Sequence, residues 1–171
     1  MMPVGLRSLA ALVAAVAALA GGAARAAEEP ADALAEIEVE AFEACVRAAG
    51  AERDRVALCE GRLAAICRSR RADGDTTQGM VDCDARELGA WEGLLAGATE
   101  ARAEALGPEA EEASEAAATA WRDWRAAECR LRALKYSGGS LARVEASGCM
   151  LALTVDRYAA VAAEVEEAGE R

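Results

Sequence analysis

The sequence contains no histidine and only one lysine, Lys135, among its 171 residues. Without histidine, the chain lacks the usual general base, the partner that activates serine and cysteine nucleophiles, and the commonest zinc ligand. It has neither a C-x-x-C pair nor a glycine-rich phosphate loop. The catalytic alternative that stays open is a buried pair among its many carboxylates. We therefore predict a protein that is not an enzyme and has no cofactor and no bound metal.

One acidic segment approaches the pattern of a calcium-binding loop. Asp73, Asp75, Thr77 and Asp84 fall at loop positions 1, 3, 5 and 12. Gln78 stands at the position where the sharp turn requires glycine, and Asp84 replaces the usual glutamate. These two departures argue against calcium binding.

Acidic residues outnumber basic ones by 30 to 19, which gives a net charge of −11. Removal of the first 26 residues would take away Arg7 and Arg25 and leave 17 basic against 30 acidic residues, a net charge of −13. Such a surface repels nucleic acids and anionic membranes and speeds association with basic proteins. The same charge also fits a role in solubility alone.

The first 26 residues have the features of a signal peptide. Arg7 provides a positive start, and residues 9–20 form an apolar run that is too short to span a bilayer. Residues 24–26 read A-R-A, which matches the A-x-A cleavage signal. We therefore predict cleavage after residue 26 and a periplasmic or secreted protein of one domain, residues 27–171.

Six cysteines in a short exported chain predict three disulfide bonds. Six cysteines allow fifteen connectivities, but a helical hairpin brings together residues that are equidistant from its turn. Three sequential pairs meet this condition: Cys45 with Cys59 around Gly50, Cys67 with Cys83 around Gly74, and Cys129 with Cys149 around Gly138-Gly139. We favour this pairing, in which each bond contributes roughly 3 kcal/mol in the chain-entropy model.

Apolar residues repeat at three- and four-residue spacing, and no segment alternates as a strand does. Residues 27–74 are predicted to form a helical hairpin, whose second helix aligns Val56, Cys59, Leu63, Ile66 and Cys67 on one face. Residues 75–171 are predicted to hold a long helix from a capping sequence at 75–78, a fourth helix after Gly107-Pro108 and a fifth capped by Ser140. The predicted fold is all-α, a disulfide-stapled antiparallel bundle of about five helices.

Two features of the third and fourth helices leave alternatives open. Gly89, Gly93 and Gly97 share one face of the third helix. This face either admits another helix or a ligand closely, or simply weakens the helix. Trp121 and Trp124 share the apolar face of the fourth helix with Leu131 and Leu134. We expect both tryptophans to belong to the core and not to a platform for stacking carbohydrates.

Four short motifs in the C-terminal half resemble a known family. They read T-T-Q-G-M-V-D-C at residues 76–83, A-W-R-D-W-R-A-A-E-C at 120–129, Y-S-G-G-S at 136–140 and G-C-x-L-x-L-T-x-x-R at 148–157. In this order and spacing they resemble the lysozyme inhibitor LprI-like family. The resemblance implies an exported, helical bacterial protein that inhibits lysozyme.

The resemblance also marks individual residues. Those it marks as structural are Met80, Trp121, Trp124, Arg125, Glu128, Leu153, Thr154 and Arg157, together with Cys83, Cys129, Cys149, Gly138, Gly139 and Ser140. Arg125 and Glu128 are three residues apart on a helix and could form an ion pair. Two family features differ, because the usual L-N-x-x-Y segment reads L-A-G-A-T at residues 95–99 and the usual aspartate is Ala126.

The turn at residues 136–141 is the predicted contact surface. A disulfide between Cys129 and Cys149 would brace the base of this turn, and a preorganised loop loses less entropy when it enters a cleft. The predicted contact residues are Tyr136, Ser137, Gly138, Gly139, Ser140 and Leu141. The simpler alternative is that this stretch only reverses the chain and caps a helix.

Two functions of different classes are consistent with these features. The first is a protein that binds and blocks a basic host-type lysozyme, whose association the acidic charge favours. The second is a structural or interaction protein of the bacterial envelope, without lysozyme inhibition. Its partner would bind the face formed by Gly89, Gly93 and Gly97.

Overall fold

The computed structural model describes residues 29–170, with side chains from Glu38 onward. The chain divides between Ile37 and Glu38 into two units, and the second contains the side-chain contacts of the bundle. The predicted signal peptide, residues 1–26, lies outside the described residues, so both its cleavage and the predicted domain boundaries stay predictions.

Every regular element between residues 29 and 170 is helical, which confirms the all-α prediction. The α-helices are α1 (Glu29–Ala49), α2 (Arg53–Ala57), α3 (Arg62–Arg70), α4 (Thr77–Leu106), α5 (Ala110–Ala133) and α6 (Ser140–Gly169). A 3₁₀ turn, Leu134–Tyr136, follows α5. One of these six α-helices, α2, is a short helix of five residues, and the other five are longer. The prediction of a bundle of about five helices is therefore confirmed.

The two longest helices, α4 and α6, form the centre of the bundle. They pack extensively against each other, with α3 packed on α4 and α5 packed on α6. Trp91 of α4 is fully buried between them. The ring of Phe42 meets the Trp91 ring edge-on with centroids 5.0 Å apart, and the Tyr158 ring lies 5.5 Å away. Three of the six aromatic residues are therefore concentrated in one part of the core.

The second predicted helix is interrupted, contrary to the continuous helix that its apolar line predicts. The chain breaks between α2 and α3, and Gly61 has a φ of 79°. The buried carboxylate of Glu87 accepts hydrogen bonds from the backbone N–H groups of Gly61 (2.6 Å) and Ala64 (2.8 Å). It also accepts one from Trp91 Nε1 at 3.1 Å. An acid from α4 thus caps α3, and no local pattern in residues 53–70 indicates this.

Two further buried carboxylates join helices to one another. Asp84 of α4 accepts a hydrogen bond from Ser147 Oγ of α6 at 2.6 Å and lies 3.7 Å from the guanidinium of Arg68. Glu38 of α1 forms ion pairs with Arg70 of α3 and with Arg86 of α4. Glu87 likewise joins α4 to α3, through backbone N–H groups. All three acids therefore accept hydrogen bonds or ion pairs that hold helices together.

The disulfide bonds are Cys45–Cys59, Cys67–Cys83 and Cys129–Cys149. These are the three pairs that the turn spacing favours. Cys59, Cys67 and Cys83 belong to buried apolar clusters. The third bond instead joins α5 to α6 just before the chain reverses. No cysteine in the described part of the chain is free.

The glycine face of α4 is open. Gly89, Gly93 and Gly97 are exposed, and a Cβ atom added at any of them would meet no atom within 4 Å. Close approach of another helix of the described chain is therefore the wrong explanation for this spacing. None of the helices between residues 29 and 170 is both long and apolar enough to cross a membrane.

Candidate functional site

The hairpin formed by α5 and α6 ends in a tight turn. Ser137 and Gly138 have positive φ angles of 52° and 74°. Backbone hydrogen bonds close the turn from Ser137 to Leu134 (3.0 Å) and from Gly139 to Tyr136 (3.1 Å). The Cys129–Cys149 disulfide, with Cα atoms 5.5 Å apart, joins the two helices behind it. We call residues 130–148, which this bond encloses, the hairpin end.

The prediction that Ser140 caps the last helix is wrong. Ser140 is the first residue of α6, and Gly139 stands at the N-cap without any side-chain hydrogen bond. The carbonyl of Gly139 accepts a hydrogen bond from Ala142 N at 3.0 Å instead. The Ser140 hydroxyl is therefore not needed to begin the helix.

Most of the predicted contact residues lie in water. Five of the six, from Ser137 to Leu141, are exposed, and Tyr136 is half-buried. Leu131, Leu134 and Leu141 expose 63%, 70% and 53% of their surface. Three large apolar side chains within one short, cross-linked segment are typical of an interaction surface.

The exposure of these leucines corrects the predicted core face of the fourth helix. Trp124, Leu131 and Leu134 were expected to be buried, but Trp124 is 51% exposed and both leucines point to solvent. The buried face of α5 contains Ser114, Arg125 and Cys129 instead. Because Arg125 follows Trp124 directly, burying Arg125 turns Trp124 away by about 100°. Trp121 is half-buried.

The hairpin end is basic within an acidic protein. It contains Arg130, Arg132, Lys135 and Arg143 but only one acid, Glu145, whereas the whole chain has a net charge of −11. Lys135 Nζ donates a hydrogen bond to Glu145 Oε1 at 2.9 Å across the turn, and this bond raises the pKa of Lys135. Arg130 and Arg143 have no acidic partner among the described residues. Arg143 donates a hydrogen bond to Gln78 Oε1 at 3.2 Å, but no acid neutralises either charge, so both arginines can meet an acidic partner.

A second group of motif residues lies between the helices, around Arg125. Its guanidinium donates to Thr154 Oγ1 through Nη1 and to Glu92 Oε1 through Nη2, both at 2.5 Å. It also lies 4.8 Å from the centre of the Trp121 ring. This network joins α5 to α4 and α6, and it is the main polar contact that holds α5 in place.

The remaining marked residues lie outside this network. Met80, Leu153 and Glu128 are half-buried, and Trp124 is exposed. The predicted Arg125–Glu128 ion pair is wrong, since Arg125 turns towards α4 and α6 while Glu128 accepts a hydrogen bond from Arg132 Nε at 2.8 Å. The sequence marks these residues together, but the structure separates them.

A cavity of about 470 Å³ lies beside the Arg125 network, between α4, α5 and α6. Its walls include Leu95, Ala103, Ala118, Trp121 and Arg157. Sequence reasoning missed this cavity, because its lining comes from three helices that no single motif connects. The only sequence signal was that the resemblance marks Trp121 and Arg157.

The calcium-like segment holds the start of α4 instead of forming an open acidic loop. Asp73 accepts two hydrogen bonds from Arg71, both at 2.9 Å, and these lower the pKa of Asp73. Thr76 caps α4 by accepting a hydrogen bond from Gly79 N at 3.0 Å. Between residues 38 and 170, no group of three or more acidic, cysteine or histidine side chains could hold a metal ion.

Comparison with known protein families gives one finding on identity. The family model described as "Lysozyme inhibitor LprI" matches residues 67–160, which is more than half of the chain. The match includes the Cys67–Cys83 and Cys129–Cys149 bonds, the hairpin end and the Arg125 network. The Cys45–Cys59 bond lies outside it. No curated protein and no solved structure matches the chain.

Proposed function

Because this chain belongs to the lysozyme inhibitor LprI family, we propose that it binds a basic lysozyme and blocks its active-site cleft with the hairpin end. The family is one of inhibitors and not of enzymes, which supports a role in binding without catalysis. Three disulfide bonds fit an oxidising compartment outside the cytoplasm. The observation that carries the proposal is the basic, leucine-bearing hairpin end of an acidic protein.

The charge distribution suits the two kinds of surface that a lysozyme presents. Lysozymes of the host type are strongly basic overall, so the acidic body of this protein would speed their encounter. Glycoside hydrolysis, in contrast, uses a pair of carboxyl groups within the cleft. Arg130 and Arg143 of the hairpin end carry charge of the opposite sign to that pair. The two charged regions together favour one orientation of the complex.

The hairpin end is also preorganised for entry into a cleft. The Cys129–Cys149 bond fixes its base, and backbone hydrogen bonds and the Lys135–Glu145 pair hold its turn. A loop that is already ordered loses less conformational entropy on binding. The exposed leucines add apolar area that a partner would remove from water.

The proposal is tested by the lysis of bacterial cell-wall substrate by an animal-type lysozyme. The oxidised mature protein is titrated into the assay at low and at physiological salt. We expect saturable inhibition at both salt concentrations, with slower association at the higher one. Inhibition that disappears at physiological salt would mean charge attraction alone, and no inhibition at either concentration would contradict the proposal.

Two leucines of nearly equal exposure provide a matched pair of variants. Leu134 is 70% exposed in the hairpin end, and Leu58 is 72% exposed between α2 and α3. We expect Leu134→Asp to weaken inhibition at least tenfold and Leu58→Asp to leave it unchanged. A bulkier turn in place of Gly138-Gly139-Ser140 should abolish inhibition without unfolding the protein. If neither change in the hairpin end affects inhibition, this segment is not the contact surface.

The open glycine face of α4 supports a second candidate function, that of an envelope interaction protein. Gly89, Gly93 and Gly97 leave the helix backbone accessible to a partner. In that case Gly93→Leu should disrupt a complex isolated from the envelope, while Leu134→Asp should leave it intact. The lysozyme assay separates the candidates, because this one predicts no inhibition.

A further inference from the structure

We propose that the cavity between α4, α5 and α6 binds a small amphipathic carboxylate, and that Arg157 binds its charged group. The cavity is lined by helix side chains, including Leu95, Trp121 and Arg157, and none of its lining residues belongs to the hairpin end. The proposal therefore does not depend on lysozyme binding.

Arg157 is the first observation behind this proposal. Its side chain is half-buried and lines the cavity, yet it has no hydrogen bond or ion pair with any described residue. The cavity has two further lining arginines: Arg102 pairs with Glu164 at 3.1 Å, and Arg122 donates a hydrogen bond to Thr119 Oγ1 at 3.1 Å. Arg125, beside the cavity, pairs with Glu92 at 2.5 Å. A guanidinium has five N–H donors in a planar fork that matches a carboxylate. The donors of Arg157 are therefore free to bind a carboxylate that enters the cavity.

Ser114 is the second, independent observation. Its side chain is buried, with 7% exposure, and it also lines the cavity. The Oγ atom of Ser114 has no hydrogen-bond partner among the described residues, and neither does the buried Nε atom of Arg125. Buried polar atoms normally find partners, so the unpaired hydroxyl of Ser114, which lines the cavity, can donate a hydrogen bond to an acceptor within it.

The rest of the lining defines the class of ligand. Leu95, Ala96, Ala103, Ala118 and Trp121 provide apolar wall, and the volume of 470 Å³ suits a small organic molecule. Four glutamates, at positions 92, 100, 111 and 115, line the same cavity. They would repel a dianionic phosphate more than a carboxylate, because repulsion grows with charge. Arg157 and Ser114 supply donors for an anionic acceptor, and the glutamates disfavour a second negative charge, so a single carboxylate on an apolar body fits best.

Octanoate is the probe for the test, with octan-1-ol and octylamine as molecules that keep its apolar body and change its head group. Binding of each to the oxidised mature protein is measured by titration calorimetry. We expect saturable binding of one octanoate and at least tenfold weaker binding of the other two. Equal binding of octan-1-ol would make the cavity merely apolar, and preference for octylamine would make it a cation site. Either result, or no saturable octanoate binding, overturns the proposal.

Two variants connect the binding to this cavity. Arg157→Gln should weaken octanoate binding at least tenfold, whereas Arg62→Gln removes the same charge from an exposed position of α3 outside the cavity and should have no effect. Ala118→Leu fills the cavity without changing its charge and should also block binding. Thermal unfolding shows which variants are folded. Unchanged binding in a folded Arg157→Gln or Ala118→Leu protein contradicts the assignment.

Discussion

Trp91 and Trp124 lie on neighbouring helices of the same bundle, in opposite environments. Trp91 has no exposed surface, meets Phe42 edge-on and donates a hydrogen bond to the buried carboxylate of Glu87. Trp124 is half exposed on the outer face of α5. Side chains around Trp91 satisfy one another, so this region contributes to stability and offers nothing to a partner. The outer face of α5 and the hairpin end leave apolar and basic groups available for binding.

The difference arises from how α5 is attached. The region around Trp91 is held by apolar burial and by three carboxylates that join helices. The buried stripe of α5 instead contains Ser114, Arg125 and Cys129. A polar network and one disulfide therefore hold this helix, and its exposed Trp124 and Leu131 are not needed for packing. A surface that folding does not use is free to serve recognition.

Removal of each tryptophan gives the largest expected contrast between the two regions. Trp91→Ala should lower the free energy of unfolding by about 3–5 kcal/mol, because it leaves a cavity and removes a donor from Glu87. Trp124→Ala should change it by no more than about 0.5 kcal/mol, as exposed positions usually do. Urea unfolding of the oxidised protein measures both. Similar losses for the two variants would show that the outer face of α5 is packed.

The second-largest expected contrast is between two disulfide bonds, whose removal should lower stability by similar amounts but affect lysozyme inhibition differently. Alanine in place of both Cys129 and Cys149 should lower the free energy of unfolding by roughly 3 kcal/mol, and so should the same change at Cys45 and Cys59. The enclosed loops are of comparable length, with separations of 20 and 14 residues. Only the first change frees the base of the hairpin end, so only it should weaken lysozyme inhibition when both variants are folded.

Unfolding midpoints and the lysis assay check this pair of variants together. Inhibition is compared at a temperature where circular dichroism shows both to be helical. Full inhibition by the Cys129/Cys149 variant would mean that the hairpin end needs no brace. Loss of inhibition in the Cys45/Cys59 variant would place part of the binding surface outside residues 67–160.

The local features of this fold were predictable from the sequence. Helical periodicity gave the long helices, and the positions of Gly50, Gly74 and Gly138 relative to the cysteines gave the three bonds that the structure contains. Each of these signals depends on residues close together in the chain. The capping sequence at residues 75–78 correctly places the start of α4, but no capping box forms: Thr76 is the N-cap and accepts a hydrogen bond from Gly79 N, while Gln78 donates to Asp82.

Features that depend on distant residues were not predictable in this way. The break before α3 depends on Glu87, and the orientation of α5 depends on Glu92 and Thr154. An apolar row containing Trp124 indicates the core face only if burial of apolar area decides how a helix packs. In α5 the burial of Arg125 decides which face packs inward. In this orientation Trp121 lines the same cavity as Arg157 of α6.

Two glycines give the smallest expected contrast, in which the same added methyl group has opposite effects. Gly93 is exposed within α4, and Gly138 lies in the turn with a φ of 74°. A Cβ atom meets no neighbour within 4 Å at either position, so only backbone conformation differs. Gly93→Ala should raise the free energy of unfolding by about 0.5–1 kcal/mol. Gly138→Ala should lower it by about 1 kcal/mol, because left-handed backbone is unfavourable for alanine.

Urea midpoints measured on the two variants and the parent protein give the sign of each change in the free energy of unfolding. Neither methyl group meets another atom, so a loss of stability in Gly93→Ala would show that this face of α4 is covered when the protein is folded in solution. A second copy of the chain would then be the first cover to test, through the dependence of the midpoint on protein concentration. Opposite signs would instead confirm that Gly93 weakens an open helix, while Gly138 is required by the geometry of the turn.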